Sequence, residues 1–247
     1  MDKPLNILEV QWIALPKHKD WQDRELAQYV LDEEENGVYE RYHTKRKRLE
    51  FVTGRALVKE YIGEKYGVAS DKIKLIKNAY GKPVLDKSSI RTEGQEIYFN
   101  ITHTDEIVAA VFGHREQVGI DVEQVREDHR SIMTSVLTSR ELDYVNSLPY
   151  NVIEILCMIW TRKEARLKAE GYGLSRLLNS IEVPLSLEKI EAEGYHWESH
   201  RLPNNHWLSI VVEGGHRYSM LIKEVKWEEL VQRIDGNIRK QTTQQFP

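Results

Sequence analysis

Residues 6–15 place apolar side chains at nearly alternate positions, the period of a half-buried strand. Further on the period lengthens. Leu49, Val52, Ala56, Leu57 and Tyr61 share one stripe, which predicts a long helix over residues 38–66 with Gly67 as its stop. Asn78-Ala79-Tyr80-Gly81-Lys82-Pro83 carries turn residues and leads into Val84-Leu85. Three β-like runs follow at hairpin spacing, residues 96–102, 107–112 and 118–125, and predict an antiparallel meander. Thr138-Ser139-Arg140-Glu141 has the capping-box form and opens a predicted helix to about Ser147. Another is predicted over 151–170, stopped by Gly171-Tyr172-Gly173, with strands at 180–183, 207–212 and 218–225 and a polar, disordered tail at 236–247. Each half thus holds a long helix and antiparallel strands. The expected fold is α+β, a pseudo-dimer of two similar lobes, residues 1–116 and 117–235, although no direct sequence repeat is visible beyond that order of elements.

Composition changes this picture little. The 247 residues are 40% hydrophobic and 30% charged, ordinary for a soluble globular chain of one or two domains. No apolar run approaches the roughly 20 residues of a membrane span, and Met1-Asp2-Lys3-Pro4 lacks the basic and apolar regions of a signal peptide, so a cytoplasmic protein with no membrane partner is expected. Cys157, the single cysteine, lies in an apolar run, which excludes an internal disulfide and suits a buried, inert thiol. A net charge of −4 and a pI near 6.2 argue against a nucleic-acid partner. The basic cluster His43-Thr44-Lys45-Arg46-Lys47-Arg48 is the local exception and suits a solvated helix face, then a bound phosphate, then RNA or DNA.

The chemistry concentrates in two segments. In Gly119-Ile120-Asp121-Val122-Glu123, the two carboxylates share one face of a predicted strand inside an apolar run, where burying them unopposed is costly. In Trp160-Thr161-Arg162-Lys163-Glu164-Ala165-Arg166-Leu167-Lys168, Glu164 and Lys168 lie one helical turn apart. Each alone reads equally well as an ordinary strand or a charged helix face. Together they suit a hard divalent cation held against a phosphate, with a lysine neutralising charge. His103, in Phe99-Asn100-Ile101-Thr102-His103-Thr104, ends a strand one hairpin away and is either structural or a phosphate donor. Gly54-Arg55 interrupts the long helix, where glycine suits close packing or ligand approach.

With Gly54-Arg55, Tyr80-Gly81-Lys82-Pro83, the Thr102-His103-Thr104 segment and the two acidic segments in this order, the chain resembles the 4′-phosphopantetheinyl transferases of the surfactin-synthetase type, from about Leu31 to Leu174. The resemblance implies a two-lobed fold with coenzyme A between the lobes. It assigns Asp121, Glu123 and Glu164 to Mg²⁺ (Mn²⁺ is possible), and Lys168 and His103 to the phosphates. It places Lys82 and Pro83 at the adenosine end, with Thr102 where the family has serine, and leaves Glu141 near the site in a supporting role. Glu35, Val38 and Glu50 stand where relatives often carry basic residues, so Lys45, Arg48 or Arg55 is expected to hold the 3′-phosphate. The first lobe would then contact coenzyme A, while the second would carry the metal site and the docking surface, with Arg126, Arg130 and Arg140 as candidates.

The implied reaction moves phosphopantetheine from coenzyme A to a serine of an apo acyl- or peptidyl-carrier protein and releases adenosine 3′,5′-bisphosphate. Glu164 would act as base, directly or through a water, and the chain would work as a monomer. The alternatives are a Mg²⁺-dependent nuclease or phosphodiesterase and an inactive coenzyme A- or carrier-binding module.

Overall fold

Alternation in the first run builds β1 (Asn6–Ala14), which buries Leu8, Val10 and Trp12 on one face. The structure is a computed structural model that describes residues 6–17, 23–90, 96–114, 117–171, 176–214 and 218–244, the last eight as backbone; the predicted stop at Tyr172-Gly173 and the boundary at residue 116 lie outside these. Three helices follow: α1 (Asp23–Val30), α2 (Glu33–Arg41) and α3 (Lys45–Tyr66). The single helix predicted over 38–66 is therefore two. Tyr42 is extended, and Thr44 caps α3 by accepting a hydrogen bond from Lys47 N–H at 3.2 Å. Gly67, left-handed at φ 64°, ends α3 as expected. A small hairpin, β2 (Leu75–Lys77) and β3 (Pro83–Leu85), precedes β4 (Tyr98–His103) and β5 (Ile107–Gly113).

The meander ends there. The next strand, β6 (Val118–Gln124), pairs not with β5 but with β9 in a second sheet. Its residues from Val118 to Val122 are all buried, which a strand with a solvated face does not allow. The second lobe continues through α4 (Met133–Val136), α5 (Ser139–Ser147), α6 (Val152–Glu170), β7 (Ile190–Ala192), β8 (Tyr195–Leu202) and β9 (His206–Glu213). No strand forms at 180–183: side chains take those backbone groups, Val183 N–H donating to Glu141 Oε1 (3.1 Å) and Arg166 Nη1 donating to Glu182 O (3.2 Å).

The chain then returns. β10 (Tyr218–Glu224) pairs in parallel with β1, and α7 (Trp227–Gln244) sends Leu230 and Ile234 into the core beneath α3. β10 thus joins the first lobe's sheet, although Tyr218 also packs on His196 of the second, and the helix runs through Gln244 where a disordered tail is predicted at 236–247. Polarity marked that segment as solvent-facing, but the buried residues just before it anchor the helix.

Two four-stranded sheets result, β10-β1-β5-β4 and β6-β9-β8-β7. They pack against each other through Leu8, Val10, Trp12, Ala109 and Val111 on one side and Ile120, Val122, Leu208, Ile210 and Val212 on the other. α3 covers the outer face of the first and α6 that of the second. The topology carries the duplication. In each lobe a strand, a long helix and a hairpin follow in order, and the first strand pairs antiparallel with the last (β1 with β5, β6 with β9).

A repeated buried device accompanies it. Val30-Leu31-Asp32 and Val136-Leu137-Thr138 each lead into a capping box closed by Glu35 and Glu141. Lys59 on α3 donates to Val30 O (2.7 Å) and Glu35 (2.6 Å); Lys163 on α6 donates to Val136 O (2.7 Å) and pairs with Glu141. Removing one partner of such a pair strands a buried charge, which costs about 3–5 kcal/mol. Glu141→Ala is expected to lower the unfolding free energy by that order in urea denaturation. A loss below about 1 kcal/mol would mean that the pair does not hold α5 to α6.

Candidate active site

Gly119 brings the two acidic segments together. A Cβ at that position would lie 1.9 Å from Ala165 O and 2.6 Å from Ala169 N, so the backbone of α6 rests directly on β6 there. Asp121 and Glu123 follow at alternate positions on the same face of the strand, the one covered by α6. Glu164 and Lys168 flank the contact on the helix, and the left-handed Gly171 (φ 77°) ends α6 one turn later.

Lys168 Nζ donates to Asp121 Oδ1 at 2.6 Å and to Thr102 Oγ1 at 3.2 Å. Thr102 donates to the same Asp121 oxygen (3.1 Å) and accepts from Val122 N–H (3.2 Å), tying β4 of the first lobe to β6 of the second. Asp121 is buried, and its Oδ2 has no hydrogen-bond partner. Burial raises the Asp121 carboxyl against the opposing pull of Lys168. Glu123 is pushed up to about 8 by burial, with the neighbouring Asp121 and Glu164 adding to the shift, and Glu164 is raised by burial and by Asp121. Three carboxylates therefore share one neighbourhood with a single lysine.

Among the described residues, no three His, Cys, Asp or Glu side chains stand close enough to ligate an ion as they are, and Lys168 occupies one oxygen of Asp121, Oδ1. The donor chemistry nonetheless fits a hard divalent cation: all the oxygens are carboxylate, and the orphaned Asp121 Oδ2 is a buried acceptor with nothing to accept.

Beside these groups the Tyr80-Gly81-Lys82-Pro83 turn closes over the junction between the lobes. Lys82 Nζ donates to Lys168 O (3.1 Å) and Val118 O (3.3 Å). A cavity of about 270 Å³ is lined by this turn with Ile101, Glu164, Lys168 and Gly171. A second, of about 450 Å³, shares Tyr80, Lys82 and Gly171 and runs on past Phe99 and Ala169. Gly54 proves to be a packing glycine, since a Cβ there would meet Ile101 Cγ2 at 3.2 Å.

The remaining candidates are placed as follows. His103 ends β4, its Nδ1 2.8 Å from Glu50 Oε2. Lys45 is exposed at the first turn of α3. Arg48 donates to Tyr42 O (3.0 Å) and Glu40 O (3.3 Å) and so caps α2; Arg55 sits 2.9 Å from Glu35. Arg126, Arg130 and Arg140 are surface residues facing Asp128, Glu127 and Glu182. The sequence reading passed over Gly119, although a glycine two positions before the strand's first carboxylate is itself a sign of close helix contact. Lys47, read there only as one of the basic cluster, joins His103 through Glu50.

Comparison with known proteins bears on this arrangement. Residues 117–212 match the profile described as the 4′-phosphopantetheinyl transferase superfamily, and residues 11–116 match that of the 4′-phosphopantetheinyl transferase N-terminal region. The chain is 30% identical over 160 residues to the 4′-phosphopantetheinyl transferase HetI of Nostoc sp., covering 64% of this chain and 66% of that protein. It is 27% identical over 177 residues to the 4′-phosphopantetheinyl transferase gsp of Aneurinibacillus migulanus, with 71% and 70% covered. It is 23% identical over 223 residues to the L-aminoadipate-semialdehyde dehydrogenase-phosphopantetheinyl transferase of Mus musculus, with 80% and 71% covered.

Two outcomes follow from the geometry. Gly119→Ala must push β6 and α6 apart, with an expected stability loss of about 1–3 kcal/mol or more; a variant melting with the parent protein would show that the contact is not tight. Raised carboxylates bind protons in the folded protein that the unfolded chain has already released. Their stabilising contribution is therefore full below about pH 4.5 and lost as pH rises to about 8 for Glu123. The metal-free protein should melt lower at pH 8 than at pH 5, and Glu123→Gln should flatten that slope. An unchanged slope in E123Q would mean that Glu123 is not crowded as described.

Proposed function

The chain belongs to the 4′-phosphopantetheinyl transferase superfamily, and from that premise we propose that it transfers the 4′-phosphopantetheine group of coenzyme A to a serine of an apo acyl- or peptidyl-carrier protein. The observation that carries this reading is the junction of β6 and α6, where three carboxylates and Lys168 lie beside cavities closed by the Tyr80-Gly81-Lys82-Pro83 turn.

Asp121, Glu123 and Glu164 are the residues that would hold a divalent cation, Mg²⁺ by the preference of that ion for carboxylates with substrate phosphates and Mn²⁺ as a second choice. When bound, such an ion would neutralise pyrophosphate oxygens and so favour departure of the leaving phosphate. Lys168 offers its charge to the attacked phosphate, and His103 offers a ring nitrogen to a second phosphate oxygen. Lys82 and Pro83 shape the wall on the adenosine side. The serine oxygen forms a bond to the phosphorus that carries pantetheine, and the pyrophosphate P–O bond breaks. Adenosine 3′,5′-bisphosphate leaves, and the serine proton passes to Glu164. Burial raises Glu164 above an ordinary glutamate, which suits a base poised nearer neutral pH.

The carrier would meet the second lobe, where Arg126 and Arg130 follow β6 and Arg140 opens α5. No described helix is long and apolar enough to cross a membrane. We read the chain as a monomer, because each sheet buries its inner face against the other lobe of the same chain.

Intact-mass spectrometry of an apo carrier domain incubated with coenzyme A, Mg²⁺ and the protein tests the reading. A gain of one phosphopantetheine is expected, with Glu164→Gln slower by about a hundredfold or more at an unchanged melting temperature. Near-parental turnover in E164Q would remove the base assignment. Hydrolysis of a nucleic acid without any carrier would favour a phosphodiesterase instead.

A further inference from the structure

At the foot of α3, a buried carboxylate holds cations that the β6–α6 junction does not use. Glu50 is 1% exposed. Its Oε2 accepts from Lys47 Nζ at 2.8 Å and lies 2.8 Å from His103 Nδ1, while its Oε1 is buried with no hydrogen-bond partner. Lys47 continues to Asp105 Oδ1 (3.0 Å) in the turn after β4. A carboxylate in such a place must be opposed by positive charge or donors. Here it opposes both Lys47 and a histidine whose side chain is otherwise 46% exposed. Thr102 and His103 point to opposite faces of β4, so Thr102 serves Asp121 while His103 is fixed from α3.

We propose that Glu50 is a positioning residue for coenzyme A. It holds His103 with Nδ1 on the carboxylate and so leaves Nε2 as the ring nitrogen presented to a substrate phosphate. This rests on the reading of His103 as a phosphate ligand given above. A phosphate oxygen accepts hydrogen bonds, so Nε2 must carry a proton when the phosphate is bound; Nδ1, facing a carboxylate, carries one too. The bound ring is then an imidazolium, and Glu50 is its counter-charge. The charged groups facing it are Lys47 and Glu50 from α3 and Asp105 from the β4–β5 turn. Where the family resemblance leads one to expect an arginine gripping phosphate directly, this chain carries an acid that works through a histidine.

The test separates a positioning role from mere attachment of α3 to β4. Steady-state transfer is measured for the parent protein, Glu50→Gln, His103→Ala and the double variant. E50Q is expected to raise KM for coenzyme A about tenfold, the loss of one charge-assisted contact, with kcat within about twofold. In the His103→Ala background, the same change should alter KM by less than about twofold. An equal rise in both backgrounds, or no rise in either, would overturn the proposal. A measurement independent of how E50Q folds is ¹⁵N NMR of the His103 ring in the parent protein saturated with coenzyme A. Protons on both ring nitrogens support the role of Glu50, and a bare Nδ1 overturns it. A parent protein that binds coenzyme A yet modifies no carrier overturns the transfer reading instead, and the NMR result on that complex still decides the role of Glu50.

Discussion

The backbone of α6 lies against β6 at Gly119, where no other residue type fits, since even a methyl group would meet Ala165 O at 1.9 Å. Much of the site descends from that contact. A side chain at 119 would hold the helix away from the strand, and the carboxylates of Asp121 and Glu123 would face a gap instead of Glu164 and Lys168. α6 ends at the left-handed Gly171, which lines the same cavity as the Tyr80-Gly81-Lys82-Pro83 turn from the other lobe. Lys82 donates to the carbonyls of Lys168 and Val118, one on each partner of the contact, so the inter-lobe wall is built on the same pair of elements.

Bringing three carboxylates to one lysine leaves negative charge poorly compensated. Burial pushes the carboxyls of Asp121, Glu123 and Glu164 upward, and Asp121 Oδ2 stands there without a hydrogen-bond partner. Elsewhere the molecule compensates its buried acids well. Glu35 meets Lys59 and Arg55, Glu141 meets Lys163 and a backbone N–H, and Glu50 meets Lys47 and His103. Each of these acids thus faces at least one cation, whereas at the β6–α6 junction three carboxylates share one lysine. Carboxylates crowded together and shifted upward beside a cavity are the pattern expected of a catalytic centre.

Local signals were legible wherever local physics decides. Alternation marked β1, the capping box opened α5, and Gly67 and Gly171 ended the long helices through left-handed conformations. Non-local pairing was not. Nothing within Val118–Gln124 says that it leaves its hairpin neighbour for β9, and nothing in Tyr218–Glu224 says that it returns to β1 in parallel. The predicted strand at 180–183 failed because buried side chains, chiefly Glu141 and Arg166, captured its backbone groups. Of the candidate site, Asp121 and Lys168 meet as the two acidic segments suggested and Thr102 joins them, whereas Arg48 and Arg55 are engaged by carbonyls and carboxylates of their own lobe. The duplication was hidden because the repeated device, a Val-Leu step into a capping box closed by a buried lysine, spans residues more than twenty positions apart in each lobe. Only the fold shows Lys59 and Lys163 doing the same task.

The central claim is that the carboxylates of β6 and α6 serve coenzyme A through a divalent cation. Calorimetric titration of coenzyme A into the protein, with Mg²⁺ and with chelator, tests it most directly. Affinity should fall at least about tenfold without the ion, a coupling of about 1.4 kcal/mol, and the Mg²⁺ dependence should vanish in Asp121→Asn. Equal binding with and without Mg²⁺ in the parent protein would contradict it and leave the crowded carboxylates of Asp121, Glu123 and Glu164 without a ligand to serve.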